Sequence, residues 1–384
     1  MGGFNSFFET EDLDAYLMIS ESTHHADMYY LTRFLAPDPF TYLRTRDEEL
    51  IVVSQMEYGR ALKESKIDVR SGLDYGMLEK IKRTGDARKG FCEFLLEILK
   101  REDATRIAVP PDFPIFIGDE LRDSGVKVNP VDGLIESERM IKDPDELAFI
   151  KKAQHACEEA MQVAIDMIKQ AKVRDGLLIS GDEVLTSEKI KARIIYHLIE
   201  LGCEIDDLIV APGNQAADPH CSGSGPLMAN EPVVIDIFPR LQRERYYADM
   251  TRTISHGEPS SELKDMYDAV LAAQEKAIGM IRSKVTCAEV HSVVCDVFEK
   301  RGYGTIREGD TVGFIHSTGH GVGLDIHEKP SISDNDYELS AGNVITIEPG
   351  LYYPGVGGIR MEDLILVRKD GFENLTNFRK EMVI

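Results

Sequence analysis

The chain has 384 residues and carries 67 acidic against 44 basic side chains, which gives a formal net charge of −23 at pH 7. Nucleic acid and anionic membranes are therefore poor partners, because both repel an acidic surface. The length predicts two or three domains, and either half can bury a core without disulfides. The N-terminus lacks a secretory signal, and no run approaches the roughly 18 apolar residues of a membrane helix. We expect a cytoplasmic protein.

Six scattered cysteines include no Cys-x-x-Cys pair, so zinc-finger and thioredoxin patterns are excluded. In a chain without a signal peptide we expect reduced thiols, most of which fill the core. They are Cys92, Cys157, Cys203, Cys221, Cys287 and Cys295.

The first third of the chain alternates apolar runs with helical patterns. Apolar runs at 16–20, 50–54 and 106–110 predict buried strands. An amphipathic pattern over 75–100 predicts one long helix. We expect these elements to form an α/β domain over residues 1–135.

The remaining residues, 136–384, are expected to form a second domain, which makes the whole chain α+β. Its first helix begins at a capping box of Asp143 and Glu146, with Pro144 in the first turn. Further helical patterns alternate twice with pairs of apolar strands, which indicates an internal structural duplication. Helices are expected at about 144–171, 187–201, 261–282 and 287–301, and strands within 232–254, 343–349 and 358–367.

Two aspartates interrupt apolar strand patterns in the second domain. Asp236 lies in VVIDIFP at 233–239, and Asp249 lies in YYADMTRTI at 246–254. A carboxylate within an apolar strand is costly unless it is paired or binds a metal. If the two strands form a hairpin, the carboxylates lie side by side, and a cation relieves their repulsion.

Histidines and glutamates follow in three further motifs. HSTGHGVGLDIHE at 316–328 contains three histidines, ITIEPGLYY ends a strand at Glu348, and GIRMEDLILV places Arg360 and Glu362 on one strand face. Four carboxylates with one imidazole suit a pair of divalent cations. In two-metal hydrolytic sites such ions lie roughly 3.5–4 Å apart and share an activated water.

These motifs resemble those of the creatinase, prolidase and methionine-aminopeptidase family, which has the pita-bread fold. The resemblance covers essentially the whole chain, and ADMYYLTRFLAP at 26–37 is similar to a creatinase-type N-terminal domain. It implies that one ion is bound by the first aspartate, that the second aspartate and the last glutamate bridge both ions, and that a histidine and the other glutamate bind the second ion. The implied metal ligands are Asp236, Asp249, His320, Glu348 and Glu362.

The same resemblance implies further residues on the substrate side. His220, His316 and His327 are expected to hold the peptide carbonyl and to stabilise the tetrahedral intermediate. Arg360 matches the family's arginine behind the ligands. Glu348 is the expected proton acceptor, because a general base must touch the attacking water.

The family's proline-peptidase branch is favoured, because methionine aminopeptidases usually lack the N-terminal domain. The resemblance implies a Xaa-Pro dipeptidase that hydrolyses the bond before a proline at the second position, with two divalent ions (Mn, Co, Zn or Fe). It also implies a homodimer. The alternatives are a Xaa-Pro aminopeptidase acting on longer peptides, a creatinase-like hydrolase, and an inactive binding protein on the same fold.

Two departures from the family pattern concern the border of the site. Phe238 stands where the family usually has glycine, and Asp249 follows Asp236 by thirteen positions, two more than usual. The turn between the two aspartates contains Arg240, Arg243 and Arg245. Two interpretations of this turn remain open: its arginines hold the substrate's free carboxylate, or it is a solvated hairpin tip. Tyr352 either lines the site or is an ordinary strand tyrosine. The other histidines are expected at the surface or in the core, namely His24, His25, His155, His197, His256 and His291.

Overall fold

The structure is a computed structural model that describes residues 2–384. It divides into two compact units, Met1–Glu136 and Ser137–Ile384. Both units combine helices with sheets, which confirms the predicted α+β class. Among the described residues, no helix is both long enough and apolar enough to cross a membrane. The six cysteines are all free thiols, and five of them are buried.

The first unit is built on one six-stranded mixed sheet with apolar cores on both faces. Its strands are β1 (Ala15–Ser20), β2 (Phe40–Thr45), β3 (Glu49–Val53), β4 (Asp68–Ser71), β5 (Arg106–Val109) and β6 (Lys127–Pro130). They lie in the order β4-β3-β2-β1-β5-β6. The helices are α1 (Gly2–Thr10), α2 (Ala26–Thr32), α3 (Gln55–Glu64), α4 (Met77–Thr84), α5 (Ala87–Arg101) and α6 (Ile115–Asp123). The boundary between the units falls within α7 (Leu134–Arg139).

The prediction of one long helix over 75–100 was wrong, because two helices occupy this stretch. Gly85 ends α4 in the left-handed conformation, with φ of 66°. The Asp86 side chain then accepts hydrogen bonds from the backbone N–H groups of Arg88 and Lys89 and starts α5. A helix stop directly followed by a helix start outweighs the continuous apolar pattern.

The second unit contains two halves with similar organisation. The helices are α8 (Pro144–Lys169), α9 (Ser187–Glu200), α10 (Ser261–Met280) and α11 (Cys287–Lys300). The strands of the first half are β7 (Lys172–Arg174), β8 (Leu177–Ser180), β9 (Glu183–Val184), β10 (Cys203–Glu204), β11 (Ile209–Pro212), β12 (Val233–Ile237), β13 (Arg240–Leu241) and β14 (Met250–Ile254). Those of the second half are β15 (Gly319–Gly321), β16 (Glu328–Ile332), β17 (Val344–Ile347), β18 (Gly350–Tyr353), β19 (Gly357–Arg360), β20 (Asp363–Arg368) and β21 (Gly371–Asn374).

Each half packs a pair of helices on an antiparallel sheet. One core cluster joins α8 and α9 to the sheet β11-β12-β14, and another joins α10 and α11 to the sheet β16-β15-β17-β20-β21. This is the repeated arrangement that the sequence predicts. The predicted strand over 358–367 is instead two strands, since β19 pairs with β18 while β20 pairs with β17. The register is the same on both sides of this interruption, which falls at Met361 and Glu362.

Candidate metal centre

One aspartate lies in the antiparallel pair formed by β12 and β14 and the other directly before it, in agreement with the hairpin prediction. Asp236 is on β12, the central strand of its sheet, directly opposite Thr251 of β14. Asp249 immediately precedes β14. Both side chains are buried. The apolar strand therefore brings these carboxylates into the interior despite their charge.

The two glutamates lie opposite each other where the ladder between two neighbouring segments of the second half is interrupted. Glu348 directly follows β17, and its backbone N–H donates to Thr318 O at 2.8 Å. Glu362 lies between β19 and β20, and its N–H donates to Thr251 O at 3.1 Å. The first bond continues the pairing of β17 with the segment that leads into β15, and the second joins Glu362 to β14 of the first half. Because neither glutamate lies within a strand, their side chains are not bound to the regular alternation between the two faces of a sheet.

His320 completes the cluster from the short strand β15. Its Nδ1 lies 3.1 Å from Gly321 O, which leaves Nε2 as the acceptor nitrogen. Nε2 lies 3.4 Å from Glu348 Oε1 and 3.6 Å from Asp249 Oδ2. Ligand atoms of Asp249, His320 and Glu362 all lie within 4.8 Å of one another. Burial, followed by the neighbouring His327, lowers the pKa of His320 to about 3, so its ring is neutral.

The electrostatics of this cluster fit a bound cation. Burial raises the pKa of Asp249 and Glu348 well above the usual range, and Glu362 is the next cause for both. Burial and then Asp236 raise the pKa of Glu362 to about 8. Among the described residues, Asp236 Oδ1, Asp249 Oδ1 and Glu362 Oε1 are buried without a hydrogen-bond partner. Buried carboxylate oxygens that lack donors are the ligands that hard divalent cations prefer.

Arg360 connects the cluster to residues behind it. Its guanidinium donates to Asp236 Oδ2 at 2.7 Å, to Tyr352 Oη at 3.1 Å and to Thr251 Oγ1 at 3.3 Å. Thr251 Oγ1 in turn donates to Glu362 Oε2 at 2.7 Å. The buried Arg360 guanidinium therefore orients two of the four carboxylates, Asp236 directly and Glu362 through the Thr251 hydroxyl.

Tyr352 belongs to this network, which settles the alternative that the sequence left open. Its hydroxyl accepts from Arg360, so its own proton is available to His316 Nε2, which lies 3.0 Å away. His316 Nδ1 lies 2.7 Å from Ser317 O and is the protonated nitrogen. Burial, with Arg360 next, lowers the pKa of His316 to about 4, so its ring is neutral. The only sequence signal was the position of Tyr352 shortly after Glu348.

The remaining histidines border the cluster from its exposed side. The ring of His327 lies 4.3 Å from that of His320, at 86° between the planes. His220 is exposed, and the carbonyl of the preceding Pro219 accepts from Arg360 at 3.3 Å. Burial lowers the pKa of both His316 and His327, and His220 contributes to the lowering in both. The structure thus brings every residue singled out from the motifs into one region of the second unit.

Two buried interactions behind this region gave no clear signal in the sequence. His291 is buried, and its Nδ1 lies 2.9 Å from the hydroxyl of Thr318, which lies between two of the site histidines. Glu328, next to His327, is buried and accepts from Arg139 at 2.6 Å and from Lys142. Both contacts join residues far apart in the chain, so periodicity does not reveal them.

In the arginine-rich turn after Asp236, two of the three arginines are buried and paired, whereas Arg243 is exposed. Arg240 and Arg245 are buried, and they contact the same carboxylate oxygen of Glu204 at 2.5 Å and 2.8 Å. Within the turn, β13 pairs with β10. The longer spacing between the aspartates therefore accommodates an additional strand pair.

We expect the metal-free protein to lose stability as the pH rises. A carboxyl whose pKa is higher in the folded state stabilises that state below its ordinary pKa, and this contribution is lost as the pH rises through the folded pKa. For Glu362 the window runs from 4.5 to about 8. Urea unfolding of chelated protein should give a larger free energy of unfolding at about pH 7 than at about pH 8.5, a range above the ordinary pKa of the neutral His316 and His320.

Glu362→Gln is the matched control for this pH dependence, since it removes the titrating carboxyl while keeping its shape. The variant should show a smaller decrease over the same pH range. A free energy of unfolding that stays constant or rises with pH in the chelated wild type would contradict the electrostatic description of the site.

Comparison with known proteins identifies the family. A model of metallopeptidase family M24 matches residues 148–369, more than half of the chain, and a model of the creatinase/prolidase N-terminal domain matches residues 3–141. The chain belongs to metallopeptidase family M24. As an M24 metallopeptidase it is an enzyme that uses a divalent metal ion.

Relatives of this M24 metallopeptidase include proline-specific enzymes. It is 30% identical over 383 residues to a Xaa-Pro dipeptidase of Pyrococcus horikoshii, covering 98% of this chain and 96% of that protein. A solved prolidase from Pyrococcus horikoshii superposes with a TM-score of 0.81, 29% identity and coverage of 99% of both chains. An X-Pro aminopeptidase from Thermotoga maritima gives a TM-score of 0.80, 28% identity and coverage of 97% and 98%. The predicted family and pita-bread fold are confirmed.

Proposed function

We propose that this metallopeptidase is a Xaa-Pro dipeptidase, which hydrolyses the bond between an N-terminal residue and proline. The observation that carries the proposal is the cluster of buried carboxylates around a neutral imidazole, with three carboxylate oxygens that lack donors among the described residues. The Pyrococcus relatives named Xaa-Pro dipeptidase support the substrate class. We also propose a creatinase-like N-terminal domain at 1–135 and a catalytic domain at 136–384, in keeping with the matches at 3–141 and 148–369.

We assign two divalent ions to the cluster. The residues that would hold them are Asp236, Asp249, His320, Glu348 and Glu362. Ions bound there would lower the pKa of a bound water and polarise the scissile carbonyl. Four carboxylates against one imidazole favour manganese, because oxygen donors suit Mn²⁺ better than the softer metals.

The chain's own residues supply proton transfer and substrate contacts. Glu348 accepts the proton of the attacking water and passes it to the proline nitrogen as the peptide bond breaks. His327 stabilises the developing oxyanion. His220, which is exposed, holds the substrate. His316 has both ring nitrogens engaged, with Tyr352 and Ser317, so we assign it to orienting Tyr352. Arg360 keeps Asp236 oriented.

The length of the preferred substrate distinguishes a dipeptidase from an aminopeptidase. The Thermotoga X-Pro aminopeptidase has a similar fold, so a Xaa-Pro aminopeptidase is the second candidate. We expect kcat/KM for Ala-Pro to exceed that for Ala-Pro-Ala-Ala by roughly tenfold or more, since a dipeptidase recognises the free proline carboxylate. A higher kcat/KM for the tetrapeptide would favour the aminopeptidase. Ala-Ala serves as the control for proline specificity.

Two further candidate functions predict that metal-binding residues have been lost. A creatinase-like hydrolase and an inactive binding protein should both have replaced metal-binding residues, whereas all five positions keep their donor side chains here. We further propose a cytoplasmic homodimer. The location is supported by six free thiols, and the dimer by the family resemblance.

A further inference from the structure

Gln274 is a buried amide on α10 that contacts the residues preceding both glutamates of the metal centre. Its Nε2 lies 3.0 Å from Ile347 O and 3.0 Å from Met361 O. Because both neighbours are carbonyl oxygens, the nitrogen must face them, which fixes the orientation of the amide. Gln274 is completely buried, and its Oε1 has no hydrogen-bond partner within residues 2–384. The two donated bonds are therefore what this amide contributes.

The two carbonyls lie where the pairing of these two chain segments is interrupted. Ile347 is the last residue of β17, and it pairs with Asp363, the first residue of β20. The next pair along these two chain segments, Gly350 with Arg360, belongs to the separate sheet β18-β19. Between these pairs the regular ladder is interrupted. A long backbone hydrogen bond, from Met361 N–H to Pro349 O at 3.3 Å, crosses the interruption, and the Gln274 side chain from α10 adds two further bonds to it.

The bridge matters because the residues after these carbonyls repel each other. The N–H of Glu348 donates to Thr318 O and the N–H of Glu362 donates to Thr251 O, so neither N–H bonds to the segment that carries the other glutamate. The backbone bond from Met361 to Pro349 is long, so the two bonds from Gln274 add a constraint on the separation of the two segments. Two hydrogen bonds from a single nitrogen limit the distance between Ile347 O and Met361 O, and so between the backbones that carry the two carboxylates.

We propose that Gln274 is a positioning residue for the metal centre, which holds Glu348 and Glu362 at the separation that two shared cations require. This inference rests on the proposed function, since it takes both glutamates as metal ligands. Residues that orient metal ligands typically change metal affinity by about 10- to 100-fold when replaced. Gln274 would act on the backbone of the ligands, whereas Arg360 acts on their side chains.

The test is Gln274→Met, which keeps the size of the side chain and removes both donors. Metal-stripped wild type and variant are titrated with Mn²⁺ alone in a calorimeter, and thermal unfolding of the stripped proteins reports the fold. We expect the Kd for Mn²⁺ to rise about 10- to 100-fold. We also expect kcat for Ala-Pro to fall at saturating Mn²⁺, with KM changed much less.

Gln154→Met is the matched control. Gln154 is also a buried glutamine with a partnerless Oε1 among the described residues, and its Nε2 donates to Thr376 Oγ1 at 3.1 Å, away from the ligands. Its Kd for Mn²⁺ should stay within about twofold of wild type, because loss of a buried hydrogen bond elsewhere lowers stability only. Equal losses in both variants would overturn the positioning role, as would a wild-type Kd in Gln274→Met.

Gln274→Glu covers the case in which Gln274→Met does not fold. This variant keeps the shape of the side chain and retains at most one donor, so its Kd for Mn²⁺ should also rise. An unchanged Kd in Gln274→Glu would overturn the inference while leaving the proposed function intact. Wild-type protein that binds no Mn²⁺ would overturn both.

Discussion

Replacing Glu348 by glutamine is expected to lower kcat for Ala-Pro by roughly 10²- to 10⁴-fold, the usual contribution of a general acid–base residue. The amide keeps the shape of the side chain but cannot accept the proton of the attacking water. Glu348 Oε1 also lies 3.4 Å from His320 Nε2, so the same change removes a charged neighbour of the proposed ligand. Steady-state kinetics at saturating Mn²⁺ separate the loss of kcat from weaker metal binding.

Glu338→Gln is a suitable control for this experiment, because Glu338 is exposed in the same part of the chain. It should leave kcat and KM for Ala-Pro within about twofold of wild type, as most surface substitutions are mild. A Glu348→Gln enzyme that kept near-normal kcat with Mn²⁺ bound would show that another group accepts the proton.

Removal of the metal is expected to lower the melting temperature by about 10 °C. Mn²⁺ at a thousandfold excess over Kd stabilises the folded state by about 4 kcal/mol, and each kcal/mol shifts the melting temperature of a unit of this size by about 2–4 °C. The physical reason is that the ions neutralise buried carboxylates that otherwise repel. Differential scanning calorimetry of stripped and reloaded protein measures the shift.

The Asp249→Ala variant provides the internal comparison for the metal effect. Removing this carboxylate should abolish turnover of Ala-Pro and most of the stabilisation by Mn²⁺, while the stripped variant stays folded. Melting temperatures that coincide with and without Mn²⁺ in the wild type would mean that the buried carboxylates do not bind the ions.

The composition of the site could be predicted from the sequence because its residues violate local patterns. Asp236 lies in an otherwise apolar strand, and such a carboxylate needs a partner wherever the strand is buried. The resemblance then added the roles of His320 and Glu362. The pairing of β12 with β14 was predictable because two apolar runs follow each other closely in the chain.

The connections behind the site could not be predicted, because they depend on contacts between distant parts of the chain. Tyr352 meets His316 across 36 positions, and Gln274 meets Met361 across 87. The break between β19 and β20 was also missed, since the apolar alternation continues through it. The alternation of apolar residues shows which side chains face the core, but it does not show where a ladder is interrupted.

The most direct test of the central claim is a Mn²⁺ titration of the metal-stripped enzyme, followed by both bound metal and hydrolysis of Ala-Pro. Two divalent ions per chain are predicted, because four carboxylates at the centre balance two divalent charges. Turnover of Ala-Pro should appear as the ions bind and disappear on chelation. An enzyme that binds no stoichiometric metal, or that hydrolyses Ala-Pro equally well after complete removal of the metal, would contradict the account.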